Sequence, residues 1–247
     1  MTRVLKIGGN QLDDPAFIAG TAQIVAKMSE LPVIVHGGGK GIKALQEKLG
    51  IVPQYVDGLR VTDAATLEIV MMVLCGQSNI NIVAALIAAG VDAQGFNGAD
   101  RGLLRGRPVL RPNGSLGRVG EVSKVRSEII RDLLAAKIVP VIAPVLLGED
   151  GGFFNANADK AAGAVAAAIG AEQVVFLTDV PGVLYDGARL DHVTRAQIEG
   201  LIRDGTITGG MAVKVNAALD ALSAGVGAAV ITNLDGLSRG TGTIVSG

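Results

Sequence analysis

The sequence is poor in the residues that announce several common chemistries. It has one cysteine, Cys75, and two histidines, His36 and His192. A single thiol rules out an internal disulfide and suits a reducing compartment, so a cytoplasmic setting is expected. Neither histidine stands in a metal-ligand spacing, which argues against a zinc enzyme. Tryptophan is absent, and aromatic residues make up 3% of the chain. Charge of one sign is lacking too: 22 Lys+Arg face 23 Asp+Glu, a formal net charge of −1. That balance offers no general basic surface for nucleic acid or an anionic membrane, and neither is expected as a partner. The longest apolar stretches, such as Ala161–Ala171 and Ile138–Gly148, span about half a membrane. Lys6 and paired glycines interrupt the N-terminal apolar segment, so no signal peptide is expected.

Glycine is plentiful, at 35 of 247 residues, and 49% of the chain is hydrophobic against 18% charged. Such a chain is not disordered, and its length suits one large domain or two small ones. Short apolar runs alternate with helical patterns. Strands are expected at Arg3–Gly8, Pro32–His36, Asp92–Asn97, Val139–Ala143, Gln173–Thr178 and Ala228–Thr232. Helices are expected at Pro15–Ser29, Lys40–Leu49, Asp63–Leu74, Asn79–Ala89, Lys124–Ala136, Asp159–Ile169, Arg195–Asp204 and Gly210–Ala224. Alternation of this kind predicts an α/β protein whose mainly parallel sheet is covered on both faces. The Arg-, Gly- and Pro-rich stretch Gly102–Gly120 reads as an excursion or hairpin at the rim, and Pro144–Gly152 as a soft boundary.

Familiar nucleotide signatures are missing. Gly37-Gly38-Gly39-Lys40-Gly41 has no Ser or Thr after its lysine, so it is not a Walker A loop. No G-x-G-x-x-G follows a strand, and the D-F-G and H-R-D sets of protein kinases are absent. Glycine directly after a strand recurs instead. In Val4-Leu5-Lys6-Ile7-Gly8-Gly9, a lysine inside an apolar strand costs desolvation unless an anion meets it, and the glycines free backbone amides for a ligand. The alternative is a lysine that snorkels out at the sheet edge. In Val33-Ile34-Val35-His36-Gly37-Gly38-Gly39, three glycines before a helix expose amides where the positive helix end lies, a ready anion site. Asn155, Asn157 and Asp159 precede an alanine-rich helix and suit capping as well as ligand contact. Thr178-Asp179-Val180-Pro181-Gly182-Val183 forms a loop at a strand's carboxyl end, the usual ligand location in open α/β sheets, or an ordinary turn. In Gly209-Gly210-Met211-Ala212-Val213-Lys214, the lysine lies near a helix N-terminus, which the helix dipole disfavours unless an anion is present. Arg60 could clamp a carboxylate. Cys75 and Met71-Met72 fall in a helical apolar pattern and read as core.

In order and spacing, K-I-G-G, H-G-G-G, G-L-R-V-T, N-A-N-A-D, T-D-V-P-G-V and G-G-M-A-V-K-V-N-A-A-L-D resemble the amino acid kinase family, from Lys6 to about Gly242. The nearest likeness is to the branch of arginine biosynthesis that acts on N-acetyl-L-glutamate. The resemblance implies an open αβα sandwich, with residues 1–145 binding the amino acid and mediating dimerisation and residues 146–247 binding ATP. It implies transfer of a phosphoryl group from ATP with Mg²⁺ to the substrate's side-chain carboxylate. By motif position, Lys6 and Lys214 would stabilise the migrating group and Asp159 would hold both lysines. Gly8, Gly9, Gly37, Gly38 and Gly39 would line the substrate and phosphoryl path. Arg60, Asn155 and Asn157 would contact the amino acid substrate, Arg60 through its α-carboxylate. Asp179, Val180, Gly182, Val183, Leu184, Gly209, Gly210 and Met211 would hold ATP. Arginine-inhibited members carry an added N-terminal helix, and this chain begins five residues before Lys6, so a plain homodimer is expected. In the family Asn-Lys is frequent where this chain has Asn79-Ile80. Two alternatives stay open: a kinase of N-blocked α-aminoadipate in lysine biosynthesis, and a non-catalytic metabolite-binding regulator on the same fold.

Overall fold

The computed structural model describes residues 2–9, 11–56, 58–110 and 116–246. Along the chain, β1 (Arg3–Ile7) passes through glycines to α1 (Pro15–Ala26), and β2 (Val33–His36) likewise to α2 (Gly39–Lys48). The hairpin β3 (Tyr55–Val56) and β4 (Leu59–Arg60) precedes α3 (Ala64–Met71), a π-helical segment Met72–Ser78, α4 (Asn79–Ala88) and β5 (Ala93–Phe96). Then come β6 (Leu104–Pro108), β7 (Val119–Val125), α5 (Ser127–Ala135), β8 (Val139–Ile142), β9 (Val145–Gly148) and β10 (Phe153–Ala156). The remainder comprises α6 (Ala158–Ile169), β11 (Gln173–Leu177), β12 (Leu184–Tyr185), β13 (Ala188–Arg189), β14 (His192–Thr194), α7 (Arg195–Arg203), α8 (Gly209–Ser223), β15 (Ala228–Thr232), α9 (Leu234–Arg239) and β16 (Thr243–Ser246).

The central sheet runs β14-β16-β15-β11-β1-β2-β8-β5. Its pairs are parallel except β15 with β16. Side chains alternate between the two faces of a strand. Val4, Val33, Val35, Val174 and Phe176 therefore join α5, α6, α7 and α8 in one core. Leu5, Ile7, Ile34 and Val175 join α1 and α4 in the other. A fully buried side chain such as Phe176 or Leu5 contributes about 1.5–3 kcal/mol. Lys6 shares a face with Val4, so its side chain points toward α6. The chain is thus an α/β sandwich with a mainly parallel sheet, as expected. Helices α6 and α8 lie side by side through small residues, and a Cβ added at Gly163 would sit 3.3 Å from Ala221 Cβ.

Several expectations need correction. The helices expected at Asp63–Leu74 and Asn79–Ala89 are one continuous rod, Ala64–Ala88, bridged by the π-helical segment. The wider π turn shifts the apolar period, which made one helix read as two. Met72, expected in the core, is 60% exposed for the same reason, whereas Val73 and Leu74 are buried. The rod has 25 residues and contains an 18-residue window of mean hydropathy 1.8, enough by length and composition to cross a membrane, yet Ile69, Val70, Ile82 and Leu86 sit in the protein core. The hairpin expected within Gly102–Gly120 is present as the antiparallel pair β6–β7, and it goes beyond that expectation by closing into a small barrel with β9 and β10. Residues 111–115 of that stretch lie outside the described residues. Gly148–Gly152 is the turn joining β9 to β10, with Gly148 N donating to Gly152 O at 2.8 Å.

Candidate active site

The carboxyl ends of β1, β2 and β11 lie level, since Ile7 pairs with both His36 and Leu177. Three loops therefore leave the sheet side by side: Gly8-Gly9, Gly37–Gly39 and Thr178-Asp179. Ligands collect at such strand ends in open α/β sheets. Here the loops frame a cleft of about 590 Å³.

Helices α2, α6 and α8 all start at this cleft. Asn157 caps α6, its Oδ1 accepting from Asp159 N at 2.9 Å and Lys160 N at 3.1 Å. The starts of α2 and α8 have no side-chain cap. Uncapped amides and the positive helix end favour an anion there. Gly9 packs closely on the second glycine loop: a Cβ on it would lie 2.6 Å from Gly38 N and 2.7 Å from Gly39 N. Any side chain at position 9 would push that loop away.

Lys6 is 4% exposed, and its Nζ lies 2.8 Å from Asp159 Oδ1. Burial is the largest influence on Lys6 and pulls its ammonium below the usual lysine range; Asp159 opposes this and nearby Lys214 adds to it. The ion pair joins Asp159 to Lys6 alone: among the described residues, Lys214 makes no ion pair. Asp159, expected to hold both lysines, contacts Lys6 and is not paired with Lys214. The second lysine lines the cleft with its charge uncompensated, as an anion-binding site requires.

Arg60 lies at the other end, donating through Nη1 to Gln46 Oε1 and through Nη2 to Gly39 O at 3.0 Å. Its guanidinium stands 4.8 Å from the ring centroid of Tyr55, its cross-strand partner. Gln46, only 1% exposed, donates in turn to Thr66 Oγ1 at 3.2 Å. A guanidinium carries five N–H groups, so donors remain for a ligand carboxylate. Asn155 also lines the cleft and donates to Thr62 Oγ1 at 3.1 Å.

The cleft gathers Lys6, Gly8, Gly9, Gly37, Gly38, Gly39, Arg60, Asn155, Asn157, Asp159, Asp179, Val180, Gly210, Met211 and Lys214. Gly182, Val183, Leu184 and Gly209 are outside its lining. Val183 is fully buried, its amide donating to Thr243 Oγ1 at 2.8 Å, and Leu184 is 37% exposed on β12. Sequence reasoning missed Gln11, Tyr55 and Leu74, which also face the cleft, and Gln46 behind Arg60. Tyr55 had a weak signal, being an aromatic residue five positions from Arg60 in a chain with few aromatics. Gln46 had none.

A cleft of lysines and helix-start amides at the ends of parallel strands is laid out to receive an anion. The sequence profile of the amino acid kinase family matches residues 1–233, and the chain belongs to that family. It is 56% identical over 245 residues to the acetylglutamate kinase of Roseiflexus sp., covering 99% of this chain and 94% of that one. Identity to the acetylglutamate kinase of Chloroflexus aurantiacus is 48% over 231 residues, covering 93% and 91%. A crystal structure from Streptococcus mutans superposes with a TM-score of 0.85 at 31% identity, covering 99% of this chain and 98% of the other.

Proposed function

We propose that this chain transfers the γ-phosphoryl group of ATP to the side-chain carboxylate of N-acetyl-L-glutamate, giving N-acetyl-L-glutamyl 5-phosphate and ADP in arginine biosynthesis. One observation carries the proposal: in a chain 56% identical to an acetylglutamate kinase, a single cleft holds Lys6, Lys214 and Arg60.

The accepting carboxylate is ionised well above its reference pKa of about 4.3, so it attacks without a general base. An oxygen of this carboxylate bonds to the γ-phosphorus as the bond to the bridging oxygen of ADP breaks. Repulsion between an anionic nucleophile and a polyanionic phosphate is the barrier to be lowered, and fixed positive charge lowers it. Lys6 and Lys214 supply that charge, with Asp159 keeping Lys6 in place. Gly8, Gly9 and the Gly37–Gly39 amides line the path of the migrating group. Arg60 receives the α-carboxylate, with Asn155 and Asn157 along the substrate wall. Asp179, Val180, Gly210 and Met211 face the nucleotide, while Gly182, Val183, Leu184 and Gly209 shape the loops around it.

Among the described residues no cluster of three His, Cys, Asp or Glu stands ready for a resident ion. In this proposal Mg²⁺ arrives on the triphosphate as part of the nucleotide substrate, where it would screen the phosphate charge. Residues 1–145 form the amino-acid lobe and residues 146–247 the nucleotide lobe in this proposal. A homodimer belongs to it as well: Met72, Ile80 and Ile87 leave an apolar stripe exposed along the Ala64–Ala88 rod, which a second copy would cover. A cytoplasmic setting suits an ATP-dependent reaction and a Cys75 thiol that burial pushes up to about 11.

Trapping the acyl phosphate with hydroxylamine tests the substrate, with N-acetyl-L-glutamate, N-acetyl-aminoadipate and free glutamate compared side by side. Turnover is expected to be highest with N-acetyl-L-glutamate, and preference for either competitor overturns the assignment. The competitor N-acetyl-aminoadipate differs by one methylene, worth about 1–3 kcal/mol in a pocket, so the contrast is measurable.

A further inference from the structure

His36 ends β2 just behind the glycine loop, fully buried, and the chemistry above gives it no part. Its Nδ1 lies 2.9 Å from the carbonyl oxygen of Gly37, and its Nε2 lies 3.0 Å from Nδ2 of Asn79. The same Nδ2 donates to Val141 O at 2.9 Å, which fixes the orientation of the Asn79 amide. A carbonyl oxygen only accepts and an amide NH₂ only donates, so both contacts select one neutral tautomer. Nδ1–H donates to Gly37 O, and Nε2 accepts from Asn79. Burial lowers the imidazole's pKa to about 4, so this tautomer holds at neutral pH.

The C=O and N–H of a trans peptide unit point in opposite directions. Drawing the Gly37 oxygen inward to His36 turns the N–H of Gly38 outward. Gly38 N is the atom that Gly9 approaches across the cleft wall, and among the described residues nothing accepts a hydrogen bond from it. We propose that His36, braced by Asn79, is a positioning residue that aims the Gly38 N–H at the transferring phosphoryl group. This rests on the phosphoryl-transfer reading of the cleft.

Neighbouring structure supports the same arrangement. The π-helical segment ends at Ser78, directly before Asn79, and such segments re-aim the residues that follow. Leu74 and Ser78 of that segment pack against Gly38: a Cβ on Gly38 would meet Leu74 Cδ2 at 2.5 Å and Ser78 Oγ at 3.2 Å. On β5, Gly95 leaves the space that Asn79 Oδ1 occupies, since a Cβ there would overlap it. The peptide is thus gripped at its oxygen by the imidazole and at its Cα by the π segment.

Two variants of similar polarity separate positioning from packing. His36→Asn places an amide NH₂ near the Nδ1 position and keeps a donor for Gly37 O. His36→Gln reaches the Nε2 position and leaves that carbonyl without a donor. Expected for His36→Gln is a kcat reduced about 10–100-fold, short of the full loss of an oxyanion donor, with both KM values within about threefold. His36→Asn should recover most of the loss. A packing role alone predicts equal falls in melting temperature with kcat retained in both. In ¹⁵N-labelled protein, the Gly38 amide resonance should shift on titration with the non-hydrolysable analogue AMP-PNP in wild type and His36→Asn, and lose that response in His36→Gln. If His36→Gln fails to fold, Asn79→Leu, which frees the imidazole, is read by the same criteria. Wild-type kcat in His36→Gln, no rescue by His36→Asn, or an unchanged Gly38 response overturns the proposal. Should the wild type form no acyl phosphate, the substrate assignment fails, while the Gly38 resonance, which needs only nucleotide, still decides the role of His36.

Discussion

Asp159→Asn strips one charge from a pair whose side chains are 5% and 9% exposed and whose atoms lie 2.8 Å apart. An ammonium is then left in the interior with nothing to balance it. Breaking a buried pair in this way costs about 3–5 kcal/mol. Lys6 is already below its ordinary pKa, chiefly through burial, with Asp159 opposing and Lys214 adding to the shift. Removing the opposing charge drives Lys6 further down, so at neutral pH more of it is neutral. The expected loss of turnover there is about 10²–10³-fold, that of one missing oxyanion donor. Lowering the pH reprotonates Lys6, so turnover of the variant relative to wild type rises as pH falls.

Stability has a definite sign as well. An unfolded lysine holds its proton up to about pH 10.4, whereas folded Lys6 releases it at lower pH. Between these two values the unfolded state binds more protons, so stability rises with pH across that window. The window is wider in the variant. Hydroxylamine-trapped product across a pH series, with urea unfolding in the same buffers, measures both effects. A variant with the wild-type rate and urea midpoint, or with a relative rate that falls on acidification, would refute the reasoning.

Lys214→Ala should lower turnover about 10²–10³-fold. Its urea midpoint should stay near wild type, because removing Lys214 relieves repulsion on Lys6. Arg60→Lys loses the planar fork held by Gln46 and Gly39; KM for N-acetyl-L-glutamate should rise about tenfold or more while KM for ATP holds. Buried His36 has its pKa lowered from 6.5 to about 4, so between those values the unfolded chain takes up a proton that the folded chain refuses. Unfolding free energy should therefore fall by about 3 kcal/mol as pH drops through that window, and His36→Asn should remove the slope. The proposed homodimer predicts a two-chain species on a sizing column, and Ile80→Glu combined with Ile87→Glu should reduce it to a monomer; a wild type that elutes as a monomer refutes that part of the proposal.

The central strands were legible because their apolar runs are buried on both faces: Val33, Ile34 and Val35 are each fully covered. Lys6 was legible for the converse reason, as a charge inside such a run has to meet a partner. The barrel was not. In β6 the exposed Arg105 and Arg107 alternate with buried Leu104 and Gly106, and glycine, arginine and proline together read as an excursion or hairpin at the rim, with no sign of closure onto β9 and β10. The π-helical segment hid because hydrophobic periodicity assumes a single turn width. At the site, strand-end glycines and lysines announced themselves through local chemistry. Gln46 and the pairing of His36 with Asn79 did not, for they join residues 14 and 43 positions apart, and only folding brings them together. Val183 belongs to a loop with the look of a ligand contact, yet its side chain is a plug in the core.

The seam of Gly163, Ala217 and Ala221 between α6 and α8 acts as a spacer gauge. Asp159 rides on the first turn of one helix and Lys214 on the other, so the gap between anchored and free cation is calibrated by residues that never touch a ligand. One extra methyl at Gly163 would prise the helices apart by tenths of an ångström and detune the pair. Drift in rate among descendants of this chain can therefore originate in its most inert side chains.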